Sequence, residues 1–146
     1  MRRGMALCLV LTTMLVPLVG LPATAAGPSD AAAFDGSWSV LALCPATPDG
    51  AFGYTLQFTA EVKSGVLHGQ YGTAGQASSL ALDGTIAPDG SAKLAAKGFT
   101  GDALYSQAKV KAATPYSYDV TAQFKGSRGT GTRVGGRTCN YTFQRS

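Results

Sequence analysis

Phe52-Gly53-Tyr54-Thr55-Leu56-Gln57-Phe58-Thr59-Ala60-Glu61-Val62-Lys63 decides the fold class. Its even positions are aromatic or aliphatic, and its odd positions are polar or glycine. Successive side chains of an extended chain point to opposite faces, so a period of two predicts a half-buried strand. The predicted inward set is Phe52, Tyr54, Leu56, Phe58, Ala60 and Val62. Lys63-Ser64-Gly65 then turns the chain into Val66–Tyr71. In that strand Leu67 and Tyr71 are read as inward and His68 as outward.

The same period runs in both directions from this segment. Upstream, Phe34 to Cys44 holds the chain's one tryptophan. Trp38, Val40 and Ala42 share a face there, and Leu41 and Leu43 lie opposite as a candidate outer apolar patch. Downstream, Leu80, Leu82 and Ile86 form one face. Pro88-Asp89-Gly90 is a turn, in which Pro presets φ, Asp bonds nearby backbone and Gly accepts positive φ. Ala92, Leu94 and Ala96 alternate with Lys93 and Lys97, and Tyr118, Val120, Ala122 and Phe124 alternate with Asp119, Thr121 and Gln123. Leu104–Lys111 and the glycine-rich Gly129–Val134 are weaker runs. Cys139, Tyr141 and Phe143 close the series. Nine short runs with no helical period indicate a sandwich or a barrel.

The first segment of the chain is of another kind. Arg2-Arg3, an apolar stretch from Ala6 to Leu21 and small residues at Ala23-Thr24-Ala25 read as a signal peptide over residues 1–26. An uncleaved anchor is the alternative, although the apolar stretch is short for a membrane span of roughly 20 residues. Residues 27–33 read as a flexible lead-in and residues 34–146 as a single domain, exported to the periplasm or secreted. A chain of 146 residues with 14% charged residues and 19 glycines lacking a three-residue period fits one small β domain and excludes collagen. The formal charge of +4 includes Arg2 and Arg3 of the leader. The remaining excess gathers at the end, where Lys125, Arg128, Arg133, Arg137 and Arg145 follow the last acid, Asp119. The group reads as a solvated rim or as a face for acidic partners. No basic-aromatic motif accompanies it, so nucleic acid is not expected.

Export makes the cysteines informative. Cys44 and Cys139 are the mature pair, and in an oxidising compartment they are expected to form one disulfide closing a loop of about 95 residues. Cys44 ends the first strand and Cys139 begins the last. If those strands are neighbours they must be antiparallel, and a closed meander with that property has an even number of strands. One of the nine runs is then not an independent strand, with Leu104–Lys111 and Gly129–Val134 the weakest. The expectation is a small, closed, antiparallel up-and-down barrel of about eight strands, its interior filled by side chains or holding one small ligand.

Gly36-Ser37-Trp38 resembles the G-x-W signature opening the first strand of lipocalins, avidins and related calycin barrels. That resemblance implies that Trp38 plugs one barrel end and that a basic residue of the last strand, here Arg145, lies over it. Gly65 to Tyr71 is similar to the second hairpin of avidins, but the several tryptophans of an avidin biotin site have no counterpart here. In size, early Trp strand and single disulfide the chain also resembles small secreted barrel inhibitors of bacterial metalloproteases. Their inhibitory N-terminal arm would fall within Ala26 to Phe34. Over most of its mature length the chain resembles a group of short exported bacterial proteins, and that likeness implies no activity.

Little in the sequence supports catalysis. The one histidine, His68, lies on a predicted outer face, and both mature cysteines are assigned to the disulfide. Five of the eight acids sit in Asp-Gly or Gly-Asp pairs, at Asp35, Asp49, Asp83, Asp89 and Asp102, and are read as turn residues. Gly126-Ser127-Arg128-Gly129-Thr130-Gly131 lacks the Gly-Lys-Ser/Thr ending of a phosphate loop. No catalytic, metal or cofactor residues are therefore assigned. The expected function is non-enzymatic binding of a small apolar ligand or a surface partner. The alternative is a protein-interaction role such as periplasmic protease inhibition. Candidate ligand-binding or barrel-end residues are Trp38, Tyr54, Tyr71, Tyr118, Tyr141 and Arg145.

Overall fold

A computed structural model describes residues 30–146; the expected leader and residues 27–29 of the lead-in lie outside the described residues. Eight strands follow one another: β1 (Gly36–Cys44), β2 (Tyr54–Lys63), β3 (Val66–Tyr71), β4 (Ser79–Ile86), β5 (Ser91–Phe99), β6 (Pro115–Lys125), β7 (Arg128–Val134) and β8 (Asn140–Arg145). Each pairs antiparallel with its neighbours in sequence, and β1 pairs antiparallel with β8 to close the barrel. The closing seam aligns Trp38 with Arg145 and Leu43 with Asn140. One step beyond that register the Cys44–Cys139 disulfide joins the two strands, with Cα atoms 4.3 Å apart.

Of the two weakest runs, Leu104–Lys111 is the one that is not a strand; it holds two short 3-10 turns, Ala103–Tyr105 and Gln107–Lys109. Asp102 caps the first of them, its carboxylate accepting the Leu104 N–H at 2.9 Å. Gly129–Val134 is a true strand. At Gly129 a Cβ would lie 2.7 Å from the Phe124 ring, so the bare backbone lets that ring cross to the facing strand. Three further expectations need correction. Phe52 precedes β2 and is exposed, because the chain is still in the loop that follows Cys44. Asp83-Gly84 lies inside β4 rather than in a turn, since the hairpins reverse at Ser64-Gly65 and at Ala87–Gly90. Leu41 and Leu43 are exposed, but their register partners are Gln57, Thr142, Thr55 and Asn140, which interrupt any apolar patch.

The two barrel ends differ in kind. At one end the connections are short, and Trp38, Phe124, Phe143 and Ile86 are buried together. The Trp38 ring meets Phe124 edge-on at 5.3 Å, and its Nε1–H donates to the Phe34 carbonyl at 2.9 Å. Asp30–Phe34, which joins the last four residues of the expected lead-in to the first residue of the expected domain, winds as one 3-10 turn that lays Phe34 against Phe124. Arg145 lies over the Trp38 ring at 5.1 Å and donates to the Ala33 carbonyl. Asp35 ties the start of β1 to the β2–β3 turn by accepting the Ser64 and Gly65 N–H groups at 2.9 and 3.0 Å. Val40, Leu82, Leu94 and Val120 fill the interior above this plug. At the other end the connections are long, residues 45–53, 72–78, 100–114 and 135–139. Tyr54 and Leu56 are only half-buried there, because the barrel is not filled.

Candidate functional site: the open mouth

The inward positions of β2, β3, β6 and β7 nearest the open end carry Tyr54, Leu56, Tyr71, Tyr116, Tyr118 and Arg133. With the 100–114 loop they surround a cavity of about 720 Å3. That is within the roughly 300–1,000 Å3 range of small-molecule pockets.

The alternation of β6 puts Tyr116 and Tyr118 on one face, where their rings stack with centroids 5.8 Å apart and planes 10° apart. The Tyr116 hydroxyl donates to the Ser79 carbonyl at 2.9 Å. Gly98 makes that reach possible, since a Cβ there would fall 1.9 Å from the same carbonyl oxygen. The hydroxyls of Tyr118 and Tyr141 are 2.7 Å apart and share a hydrogen bond. Tyr141 is buried beneath the cavity rather than lining it. Burial raises the pKa of Tyr116, Tyr118 and Tyr141 above the ordinary phenol value. All three therefore stay neutral hydrogen-bonding groups through the physiological range.

Two arginines complete the mouth in different ways. The guanidinium of Arg137 is buried and donates to the carbonyls of Pro45 from Nε and Nη2, of Tyr105 from Nη1 and of Phe52 from Nη2. It ties the 45–53 loop to the 3-10 turn Ala103–Tyr105 and lies 4.8 Å from the Tyr54 ring centre. Arg133 is half-buried, with its guanidinium 4.0 Å above the Tyr118 ring and its Nε buried without a partner. Neither has a carboxylate partner: among the described residues the one contact between a basic and an acidic side chain is the His68–Asp83 hydrogen bond, on the outer face of β3 and β4.

The sequence-predicted candidates thus divide. Trp38 and Arg145 are at the plugged end. Tyr54, Tyr71 and Tyr118 line the cavity, and Tyr141 supports Tyr118 from below. The terminal basic residues do not form one face: Lys125 and Arg128 are exposed at the β6–β7 hairpin, Arg145 covers Trp38, and Arg133 and Arg137 belong to the mouth. Their outward or inward sense follows the pleat, and on β7 the inward positions before Arg133 are Gly129 and Gly131, which give no apolar signal. Tyr116 was within reach of sequence reasoning, two residues before Tyr118 and so on the same face. Tyr105 and Arg137 belong to loops and carry no periodic signal.

No group of His, Cys, Asp and Glu suited to a metal ion occurs among the described residues, and no helix there is long and apolar enough to cross a membrane. No protein-family model, curated protein or solved structure matches the chain.

Proposed function

We propose that this chain is an exported, non-catalytic binding barrel of the calycin-like kind that holds a small, largely apolar ligand in its open mouth. The observation that carries this reading is the asymmetry of the interior. One end is packed with Trp38, Phe124 and Phe143, whereas the other opens into a cavity walled by tyrosines. Rigid aromatic walls offer a flat ligand contact area at low entropic cost. The groups most often used in catalysis lie elsewhere or are occupied: His68 is on the outer wall, the mature cysteines are joined, and Asp102 caps a turn.

A panel of small aromatic and aliphatic compounds, followed by amide shifts in NMR, tests the reading. Binders should move signals of Tyr54, Tyr71, Tyr116 and Tyr118 and leave the Trp38 indole in place. Leu56→Trp, which fills the mouth, should abolish those shifts in a folded protein. Shifts confined to the outer wall, or none from any compound, would reject the mouth as a ligand site.

A second reading is a protein partner, because exposed Phe52, Leu104 and Tyr105 gather on the mouth rim, Phe52 and Tyr105 in edge-on contact at 5.9 Å. A co-secreted protease or other exported protein that shifts these rim signals while small compounds do not would favour it.

A further inference from the structure

We infer that the mouth selects an organic anion with a flat apolar body, an aryl carboxylate being the simplest example, and that Arg133 receives its charge. This rests on the proposed ligand site in the mouth and adds the chemistry of its occupant.

The inference starts from an imbalance of charge. A guanidinium stays protonated at any physiological pH, and a partly desolvated cation is costly unless an anion or several hydrogen bonds compensate it. Arg137 meets this demand with backbone carbonyls from three residues. Arg133 does not: its compensation is the Tyr118 ring at 4.0 Å, and its Nε is enclosed with no acceptor. An unpaired arginine Nε alone says little, since Arg145 has one too. Arg145, however, lies over the plug and also donates to Ala33, whereas Arg133 borders the cavity.

The neighbouring groups support the same chemistry. Tyr118 presents its flat ring to Arg133 and stacks with Tyr116, so a cation and an aromatic surface stand side by side. Arginine pairs well with planar carboxylates because its donors match their two oxygens. The neutral phenols of Tyr116, Tyr118 and Tyr141 add no negative charge. Among the described residues, the acid lining the cavity is Asp102, whose carboxylate accepts the Leu104 N–H. Asp49, on the 45–53 loop, is engaged with Thr47 and the Ala108 N–H, and Lys109, on the 100–114 loop, donates to the Gly50 carbonyl, so each of these charges has partners of its own. A bare inorganic anion would use Arg133 but leave the tyrosine walls uncovered. A neutral arene would cover the walls but leave Arg133 uncompensated.

The test compares naphthoate with naphthamide, which share shape and differ in charge, and adds inorganic sulfate as an anion without a ring. Titrations are followed by calorimetry and by amide shifts on the wild-type protein, Arg133→Gln and Arg133→Lys. For wild type, naphthoate should bind roughly tenfold or more tighter than naphthamide, as a charge-assisted pair would give, and sulfate far more weakly than naphthoate. Arg133→Gln should reduce the naphthoate preference over naphthamide to about unity, and Arg133→Lys should restore part of it. Equal binding of the two arenes in the mouth of wild type would overturn the anion inference and leave the mouth as a ligand site. A naphthoate preference that survives Arg133→Gln would overturn the role of Arg133. Absence of mouth shifts with both arenes, in a panel where no other compound binds there, would remove both readings. The wild-type comparison needs no variant, so a poorly folded Arg133→Gln protein does not rescue the claim.

Discussion

Replacing Arg137 by methionine separates the stability of the mouth from that of the barrel. Methionine keeps a long apolar stem beside Tyr54 and removes the donor fork. Four hydrogen bonds from a charged donor are lost, at roughly 1.5–3 kcal/mol each, a gross loss of roughly 6–12 kcal/mol. Against this stands the cost of enclosing a guanidinium without a carboxylate, several kcal/mol, which the variant no longer bears. The freed carbonyls belong to Pro45 and Phe52, both exposed residues, and to Tyr105, which lines the open cavity, so water can reach them and the penalty for leaving them unpaired shrinks. The balance is a net loss of about 2–4 kcal/mol, concentrated where the three carbonyls are. Hydrogen exchange reads it directly, because the Phe52 N–H is bonded to Leu104 and the Tyr105 N–H to Asp102. Protection of these two amides should fall roughly 30- to 700-fold. The strand amides of β3 to β5 should change far less, and the urea transition followed by Trp38 emission should keep its slope. Unchanged protection at Phe52 and Tyr105 would refute the assignment of Arg137 as the tie between these loops. A uniform loss across all eight strands would show instead that mouth and barrel unfold as one unit.

Trp38 emission should be blue-shifted in the native protein and move red on unfolding, with Trp38→Ala costing roughly 3–5 kcal/mol in denaturant titrations; native emission at the solvent-exposed wavelength would contradict the plug. Asp35 is held below the ordinary carboxylate pKa by the Gly65 and Ser64 N–H groups. Its stabilisation is therefore present above the unfolded value of about 3.9 and lost as pH falls through the lowered folded value, and Asp35→Asn should flatten that acid limb of the urea midpoint. Burial raises Tyr116, Tyr118 and Tyr141, so the folded state resists ionisation that the unfolded chain undergoes near pH 10, and stability present below that pH is lost above it. In an alkaline absorbance titration these three of the six tyrosines should ionise together with the loss of native Trp38 emission; six phenols titrating near 10 in a folded protein would contradict their burial.

The barrel was legible where apolar side chains mark every second residue. β2, β6 and β8 have that pattern, and the cysteine spacing supplied the seam that joins first strand to last. The same reading misassigned Phe52, since alternation persists into a loop that the hydrogen-bond ladder does not reach. It treated Asp83-Gly84 as a turn because the dipeptide is common there, whereas Gly84 sits in β4 with no room for a Cβ: its nearest neighbour, the Lys93 carbonyl, would be 2.5 Å away. Half of the mouth was visible as inward tyrosines. The arginines were not, because charge at the chain end reads as solvated surface unless the strand's facing is known, and glycines conceal the facing of β7. The grip of Arg137 on Pro45, Phe52 and Tyr105 spans 92, 85 and 32 residues of sequence, a distance at which no local pattern operates.

The meander has a kinetic consequence. Seven of its pairings join strands that follow one another, and each can zip from its own turn. The eighth, β1 with β8, must gather nearly the whole domain before it forms a single hydrogen bond, so the entropic cost of loop closure concentrates there. Cys44 and Cys139 lie at the mouth end of this one non-local seam. Their sulfurs meet once the curled sheet has come round on itself, which makes oxidation a record of completed closure. An open, reduced sheet would expose the edges of β1 and β8 to other chains, and the covalent strap removes that route to aggregation after the barrel has closed.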